Sequence, residues 1–162
     1  MSAEKKKQMG VLGLVVALVV TLFGSLLFVG AVGGWFDGQK VTLDPEYYGE
    51  GAEFMELSAD EYEQLIEAKK SFVVFVDQDG CTTADRLREY MTKYMTETGI
   101  SVYKMMFAEV KESSLHEVVK YYPTVAMISR GHVVGFLRAD VDEDARFYNN
   151  YEDFREWMGR YL

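Results

Sequence analysis

Chemistry-bearing side chains are scarce in this chain of 162 residues, which has one cysteine, Cys81, two histidines and two prolines. A single cysteine excludes an internal disulfide, so the fold must rest on an apolar core. It also excludes a dithiol centre within one chain. His116 and His132 are isolated, and together with one cysteine they fall short of the four ligands of a structural zinc site. Basic residues are outnumbered, 17 Lys and Arg against 26 Asp and Glu, giving a formal net charge of -9. Three of those lysines lie in the first seven residues, so the rest of the chain is more acidic still and poorly suited to nucleic acid or anionic lipid. No phosphate-binding loop, dinucleotide fingerprint, nucleophile elbow or catalytic triad is present, and no cofactor or metal is expected. The stretch Asp140-Val141-Asp142-Glu143-Asp144 has the alternating carboxylates of a calcium loop. Ala145 stands where the sharp-turn glycine belongs, and Tyr151 where the bidentate glutamate belongs, which excludes an EF-hand. A loose calcium site and a solvated acidic loop both stay open there.

Charge is absent altogether between Lys7 and Asp37, and from Val11 to Val32 the run is apolar apart from Gly, Ser and Thr. At about 1.5 Å rise per residue such a helix covers the ~30 Å hydrocarbon core of a bilayer. Residues 11–33 are therefore expected to form a transmembrane signal anchor. Lys5, Lys6 and Lys7 precede it and Asp37 follows it, which places residues 1–10 in the cytoplasm and the remainder outside the cell membrane. A cleaved signal peptide is the competing reading, with Ala31-Val32-Gly33 as a small-x-small site, but its apolar core is typically only ~7–15 residues. Both readings export the domain. Gly13, Ala17, Thr21 and Ser25 recur every fourth residue, the spacing of a helix face that lets a second copy approach closely and form a homodimer. Membrane helices are also rich in small residues for no such reason.

Residues 34–51 are rich in glycine and acid and lack periodicity, so they are expected to be a flexible linker ahead of a single domain at 52–162. Within that domain Ala52–Leu57 is a short strand, and Ser58-Ala59-Asp60-Glu61 is a capping box opening a helix with apolar Tyr62, Leu65 and Ile66. Phe72–Val76 is apolar without alternation, the mark of a strand covered on both faces. After Cys81, Thr82 or Thr83 can cap a helix whose stripe is Ala84, Leu87, Tyr90, Met91, Tyr94 and Met95, stopped by Gly99. Ile100–Phe107 is a strand. Leu115, Val118, Val119 and Tyr122 predict a helix from Ser113 or Ser114 to Pro123. Arg130-Gly131 joins strands Thr124–Ser129 and His132–Arg138 into a hairpin, and Asn149 or Asn150 caps a last helix facing inward with Tyr151, Phe154, Trp157, Met158 and Tyr161.

The order β-α-β-α-β-α-β-β-α, a thiol at the start of the second helix and Tyr122-Pro123-Thr124 before the hairpin resemble the thioredoxin-like superfamily. The resemblance covers residues 52–162 and implies an α/β mixed sheet with flanking helices. It also implies that Pro123 is cis and faces Cys81, and that the Tyr122 backbone pairs with an extended client peptide. Gly80, Thr82, Tyr122, Pro123 and Thr124 would line that binding face, with Cys81 as the candidate catalytic residue. The departures are large. Cys81-Thr82-Thr83-Ala84 replaces C-x-x-C, Gly80 stands where a Trp usually precedes the cysteine, and Phe75 falls near the family's buried Asp. Membrane-tethered thioredoxin-like proteins of cytochrome c maturation share the layout but rely on C-x-x-C. The helix N-terminus favours a Cys81 thiolate, whereas Asp77, Asp79 and Asp85 oppose it. Two functional readings follow. In one, Cys81 forms mixed disulfides with protein clients, in the manner of a client trap, a monothiol exchange or a redox sensor. In the other, the thiol is idle and the domain is a docking module of a membrane complex.

Overall fold

The unbroken apolar run at Phe72 becomes the middle strand of the sheet because both of its faces can be covered. In the computed structural model, which describes residues 40–162, the strands are β1 (Phe54–Glu56), β2 (Phe72–Asp77), β3 (Val102–Met106), β4 (Thr124–Ser129) and β5 (His132–Phe136). The helices are α1 (Ala59–Glu67), α2 (Thr82–Thr98), α3 (Phe107–Lys111), α4 (Leu115–Val118), α5 (Ala145–Asn149) and α6 (Tyr151–Tyr161). The sheet order is β1-β3-β2-β4-β5. β3 runs parallel to both β1 and β2, while β4 is antiparallel to β2 and β5. This is the expected α/β thioredoxin-like mixed sheet with flanking helices. Every residue of β2 is buried.

Local signals set most boundaries. Ser58 caps α1, its hydroxyl accepting from the Glu61 N–H while the Glu61 carboxylate accepts from the Ser58 N–H at 3.0 Å. Glu109 of α3 accepts the Ala59 N–H at 2.9 Å, so a second element also caps that helix. Gly99, left-handed at φ 70°, ends α2. Arg130 and Gly131 have φ of 51° and 77°, a two-residue hairpin turn. A side chain at Gly131 would collide with the Ile66 carbonyl, so the position needs glycine for space as well as for backbone. Asn150 caps α6 by accepting from Glu152 at 2.8 Å and Asp153 at 3.2 Å.

Two expectations need correction. The helix predicted from Ser113 or Ser114 to Pro123 is reduced to α4, Leu115–Val118, and Phe107, predicted to close a strand, instead opens α3. The Ser113 hydroxyl bonds back to Val110, and Glu63 of α1 holds both the Ser114 N–H and its hydroxyl, which breaks the helix between the two pieces. α4 then makes only one turn. Leu115 and Val119 are buried, while Val118 is 46% exposed.

The second correction concerns the flexible linker, whose last part is ordered. Val41, Leu43 and Tyr47 are buried, the first two by an alternation that points them to one side. Pro45 then starts a single turn of 3-10 helix, Pro45–Tyr47. The strap hydrogen-bonds to three neighbours, Val41 N–H to Tyr161 O at 2.6 Å, Asp44 N–H to Ser71 O at 3.0 Å, and Ser101 N–H to Tyr47 O at 2.7 Å. Lys70 pairs with Asp44 at 3.2 Å and with Glu46 at 2.7 Å. The expected cytoplasmic tail, the anchor at 11–33 and its small-residue face lie outside the described residues. Among those described, no helix is long and apolar enough to cross a membrane.

Candidate functional site at Cys81 and Pro123

β2 ends at Asp77, and three residues later the chain turns into α2. Gly80 adopts φ 70° with open space around it, so the backbone rather than crowding requires glycine at this turn. Cys81 itself is the N-cap of α2, and Thr82 and Thr83, the predicted caps, are the first helical residues. The Cys81 carbonyl accepts the Asp85 N–H at 3.0 Å, while its thiol makes no capping bond. Cys81 is half-buried and unbridged. Thr82 beside it is exposed.

The Tyr122–Pro123 bond is cis. Val76 pairs with Thr124, so the proline loop leaves the sheet at the end where β2 runs out toward Cys81. The Thr124 hydroxyl is not open to a ligand, because it is buried and donates to Leu137 O. Tyr148 donates to the Pro123 carbonyl at 3.1 Å from a buried position. The Tyr122 hydroxyl lies 3.1 Å from Val119 O and 2.9 Å from His116 Nδ1. With one hydroxyl proton given to Val119, His116 becomes the donor to Tyr122. His116, isolated in the sequence, is therefore tied to the loop. Burial raises the Tyr122 phenol above its ordinary value. No hydrogen bond among the described residues engages the backbone N–H or carbonyl of Tyr122.

Arg86 joins this end of the molecule to α5, reaching Asn149 Oδ1 at 2.6 Å and Tyr148 O at 3.4 Å. Arg88 holds two carboxylates near this turn. Its Nε and one terminal nitrogen grip the two Asp77 oxygens at 2.8 and 2.7 Å, and the other terminal nitrogen reaches Asp85 at 2.8 Å. Asp77 is 2% exposed and also accepts the Gln78 N–H at 2.8 Å. The hydrogen bond to Asp77 raises Arg88 further above its already high ordinary value, against the opposing effect of burial. Two of the three carboxylates that the sequence sets against the thiol are thus held by one guanidinium. Spacing of i,i+3 could have suggested the Asp85 contact but not the Asp77 one.

Phe75 is fully buried. The buried carboxylates among the described residues are Asp77 and Asp144. Asp144 takes the Arg138 N–H on one oxygen at 2.8 Å and the Arg138 guanidinium on the other at 3.1 Å, so both oxygens of this calcium-loop carboxylate are already committed. No group of three His, Cys, Asp or Glu among the described residues is arranged to hold a metal ion.

No protein-family model matches the chain, and no curated protein matches it. It is similar in structure to a mutant thioredoxin from Halobacterium salinarum, 18% identical, covering 65% of this chain and 96% of that one with a TM-score of 0.46. A Schistosoma mansoni thioredoxin is 18% identical, with 64% and 99% coverage and a TM-score of 0.46. A Trypanosoma brucei brucei thioredoxin is 13% identical, with 72% and 99% coverage and a TM-score of 0.46. The fold assignment itself rests on the strand order and register described above.

Proposed function

We propose that the chain is a membrane-anchored, extracytoplasmic thioredoxin-fold protein that docks an extended protein client across Cys81 and Pro123 and forms a mixed disulfide with it. The observation that carries this reading is a half-buried cysteine at the N-cap of a long helix, at the same end of the sheet as a cis proline whose preceding residue has an unengaged backbone. An extended client could use the Tyr122 N–H and carbonyl as a strand would. The Cys81 thiolate attacks one sulfur of a client disulfide, so that the Cys81–client bond forms as the client S–S bond breaks and the second client sulfur leaves as thiolate. With no second cysteine in the chain, an outside thiol must attack the mixed disulfide and return Cys81 to its thiol form. Each step is an exchange that conserves one disulfide: as the outside thiol attacks the client sulfur, Cys81 leaves as thiolate and the disulfide remains between the client and the outside thiol. Phe75 in place of an acid fits a site with no resolving thiol to deprotonate. The charge-free run after Lys5, Lys6 and Lys7 supports the anchor and its orientation.

Rapid alkylation of cells followed by non-reducing capture tests the reading. Wild type is expected to give reductant-sensitive adducts that Cys81→Ser abolishes, and a membrane-impermeant maleimide is expected to label Cys81 on intact cells. Full alkylation of Cys81 without any adduct would leave the idle-thiol docking module. Labelling only after lysis would place the domain on the other side of the membrane.

A further inference from the structure

The segment between α4 and the cis proline lies mostly outside the core. Glu117, Val118, Lys120 and Tyr121 are exposed, and of residues 117–122 only Val119 is buried. Burial alone therefore does not fix the loop. What fixes it is a chain of polar contacts that starts on α1. Glu63 takes the Ser114 N–H at 2.6 Å and the Ser114 hydroxyl at 3.0 Å, which anchors the start of α4. His116 follows, its N–H donating to Ser113 O at 3.2 Å, and its Nδ1 lies 2.9 Å from the Tyr122 hydroxyl. The Tyr122 ring also rests against Phe107, the first residue of α3, with ring centroids 6.2 Å apart. Two elements thus hold the Tyr122 side chain, while its backbone N–H and carbonyl make no hydrogen bond among the described residues. We propose that His116 is the positioning residue of Tyr122, holding its backbone in the orientation in which an extended client pairs with it. This rests on the reading that clients pair at Tyr122.

The hydrogen-bond inventory sets the direction of the contact. A phenol has one proton to give, and the Tyr122 hydroxyl gives it to Val119 O at 3.1 Å. Burial raises the Tyr122 phenol, so that proton stays on the oxygen. The same oxygen then accepts, and His116 must carry a proton on Nδ1. The bond to Val119 ties the ring only to its own loop, three residues back, whereas the bond from His116 ties it to α4 and through Ser114 to α1. Tyr148 grips the loop one residue further on, through Pro123 O at 3.1 Å, so it does not replace His116. Without the imidazole the ring still packs on Phe107, but no bond from α4 sets its rotation, and the backbone attached to it loses that support.

Two measurements on the full chain in detergent test this. In long-range proton–nitrogen spectra at about pH 8, the His116 ring is expected to hold its proton on Nδ1, and Tyr122→Phe to abolish that preference. The chain has two histidines, so His132→Gln identifies the signal. A wild-type proton on Nε2 would overturn the proposal whatever clients do. The second measurement compares the rates at which Cys81 exchanges with cystamine, too small to pair along a backbone, and with the disulfide dimer of the peptide Ac-Val-Thr-Val-Cys-Thr-Val-amide. In both, the Cys81–probe bond forms as the probe S–S bond breaks and half of the probe leaves as thiolate. His116→Leu is expected to slow the peptide reaction by about 3- to 10-fold, the worth of one hydrogen bond, and to leave the cystamine rate unchanged. His116→Asn, whose amide can stand where Nδ1 stands, is expected to restore the peptide rate, and His116→Gln is not. Tyr122→Phe is expected to share the loss, and its combination with His116→Leu to lose no more than either alone. If His116→Leu does not fold, Tyr122→Phe and the contrast of Asn with Gln decide the matter. Equal peptide rates in wild type and these variants would overturn the proposal alone. A wild type that does not exchange with the peptide disulfide would overturn the client reading, and this proposal with it.

Discussion

Pro123 cannot donate a hydrogen bond, so its loop is held through its carbonyl and through its neighbours. The Tyr148 hydroxyl donates to that carbonyl from the core, and burial lifts the phenol well above its ordinary value, keeping it a neutral donor. Tyr148→Phe deletes this bond together with the phenol's contact to the Thr124 hydroxyl. Because the carbonyl is left without this donor, the expected cost is about 1–2 kcal/mol, read from the urea midpoint with an unchanged slope. If Tyr148 also holds the loop in place for clients, Tyr148→Phe lowers the yield of Cys81 adducts more than that loss of stability accounts for. A variant as stable as wild type would show that the bond contributes nothing. Asp77 teaches a related point at this scale. Read along the sequence it is one of three acids crowding a cysteine. Its actual partner, Arg88, sits eleven residues on, across a turn and onto a helix, and only the assembled β2–α2 unit brings the two together.

Elements whose signals are local were legible in advance, whereas elements defined by a partner surface were not. Ser58 with Glu61, Gly99 and Asn150 satisfy backbone groups within a few residues, Arg130-Gly131 makes its turn with two positive φ angles, and the structure uses them as read. Glu63, fifty-one residues from Ser114, holds the start of α4, so the i, i+3, i+4, i+7 spacing of Leu115 to Tyr122 suggested a helix running to Pro123 where only the single turn Leu115–Val118 forms. The strap at residues 40–48 was hidden in the same way. Glycine and acid around it masked the alternation of Val41 and Leu43, and the groove that takes them is made by strands and helices far along the chain. Leu43 is 2% exposed, and Leu43→Ala is expected to destabilise the domain by about 2–5 kcal/mol in urea unfolding, the range for a buried leucine that leaves a cavity. A true linker residue would cost less than about 0.5 kcal/mol. The size of the loss therefore decides whether the folded domain begins near residue 40 or near residue 52.

Over the molecule as a whole, tyrosine takes on work that disulfides share in a cysteine-rich domain. Tyr47 and Tyr103 meet edge to face at 5.6 Å, Tyr62 meets Phe72 at 6.2 Å, and Phe72 meets Tyr103 at 5.4 Å, which joins the strap, α1 and the sheet in one aromatic cluster. The cluster and Tyr148 make the fold sensitive to base. Burial raises the phenols of Tyr62 and Tyr148 well above the ordinary value of 10.0. In the unfolded chain they would ionise near that ordinary value. Below about pH 10 both states hold the proton, and the stability is fully present. Above it the unfolded chain binds fewer protons than the folded one, so stability falls as pH rises, by about 1.4 kcal/mol per pH unit for each such tyrosine until its folded value is reached. Urea unfolding is expected to give a constant free energy from pH 8 to about 9.5 and a steep decline beyond pH 10. Part of the phenolate absorbance at 295 nm should appear only as circular dichroism is lost. A free energy that stays flat to pH 11, with all eleven tyrosines titrating in the folded protein, would mean that these phenols are reached by water and that the cluster holds the strap less tightly than its geometry implies.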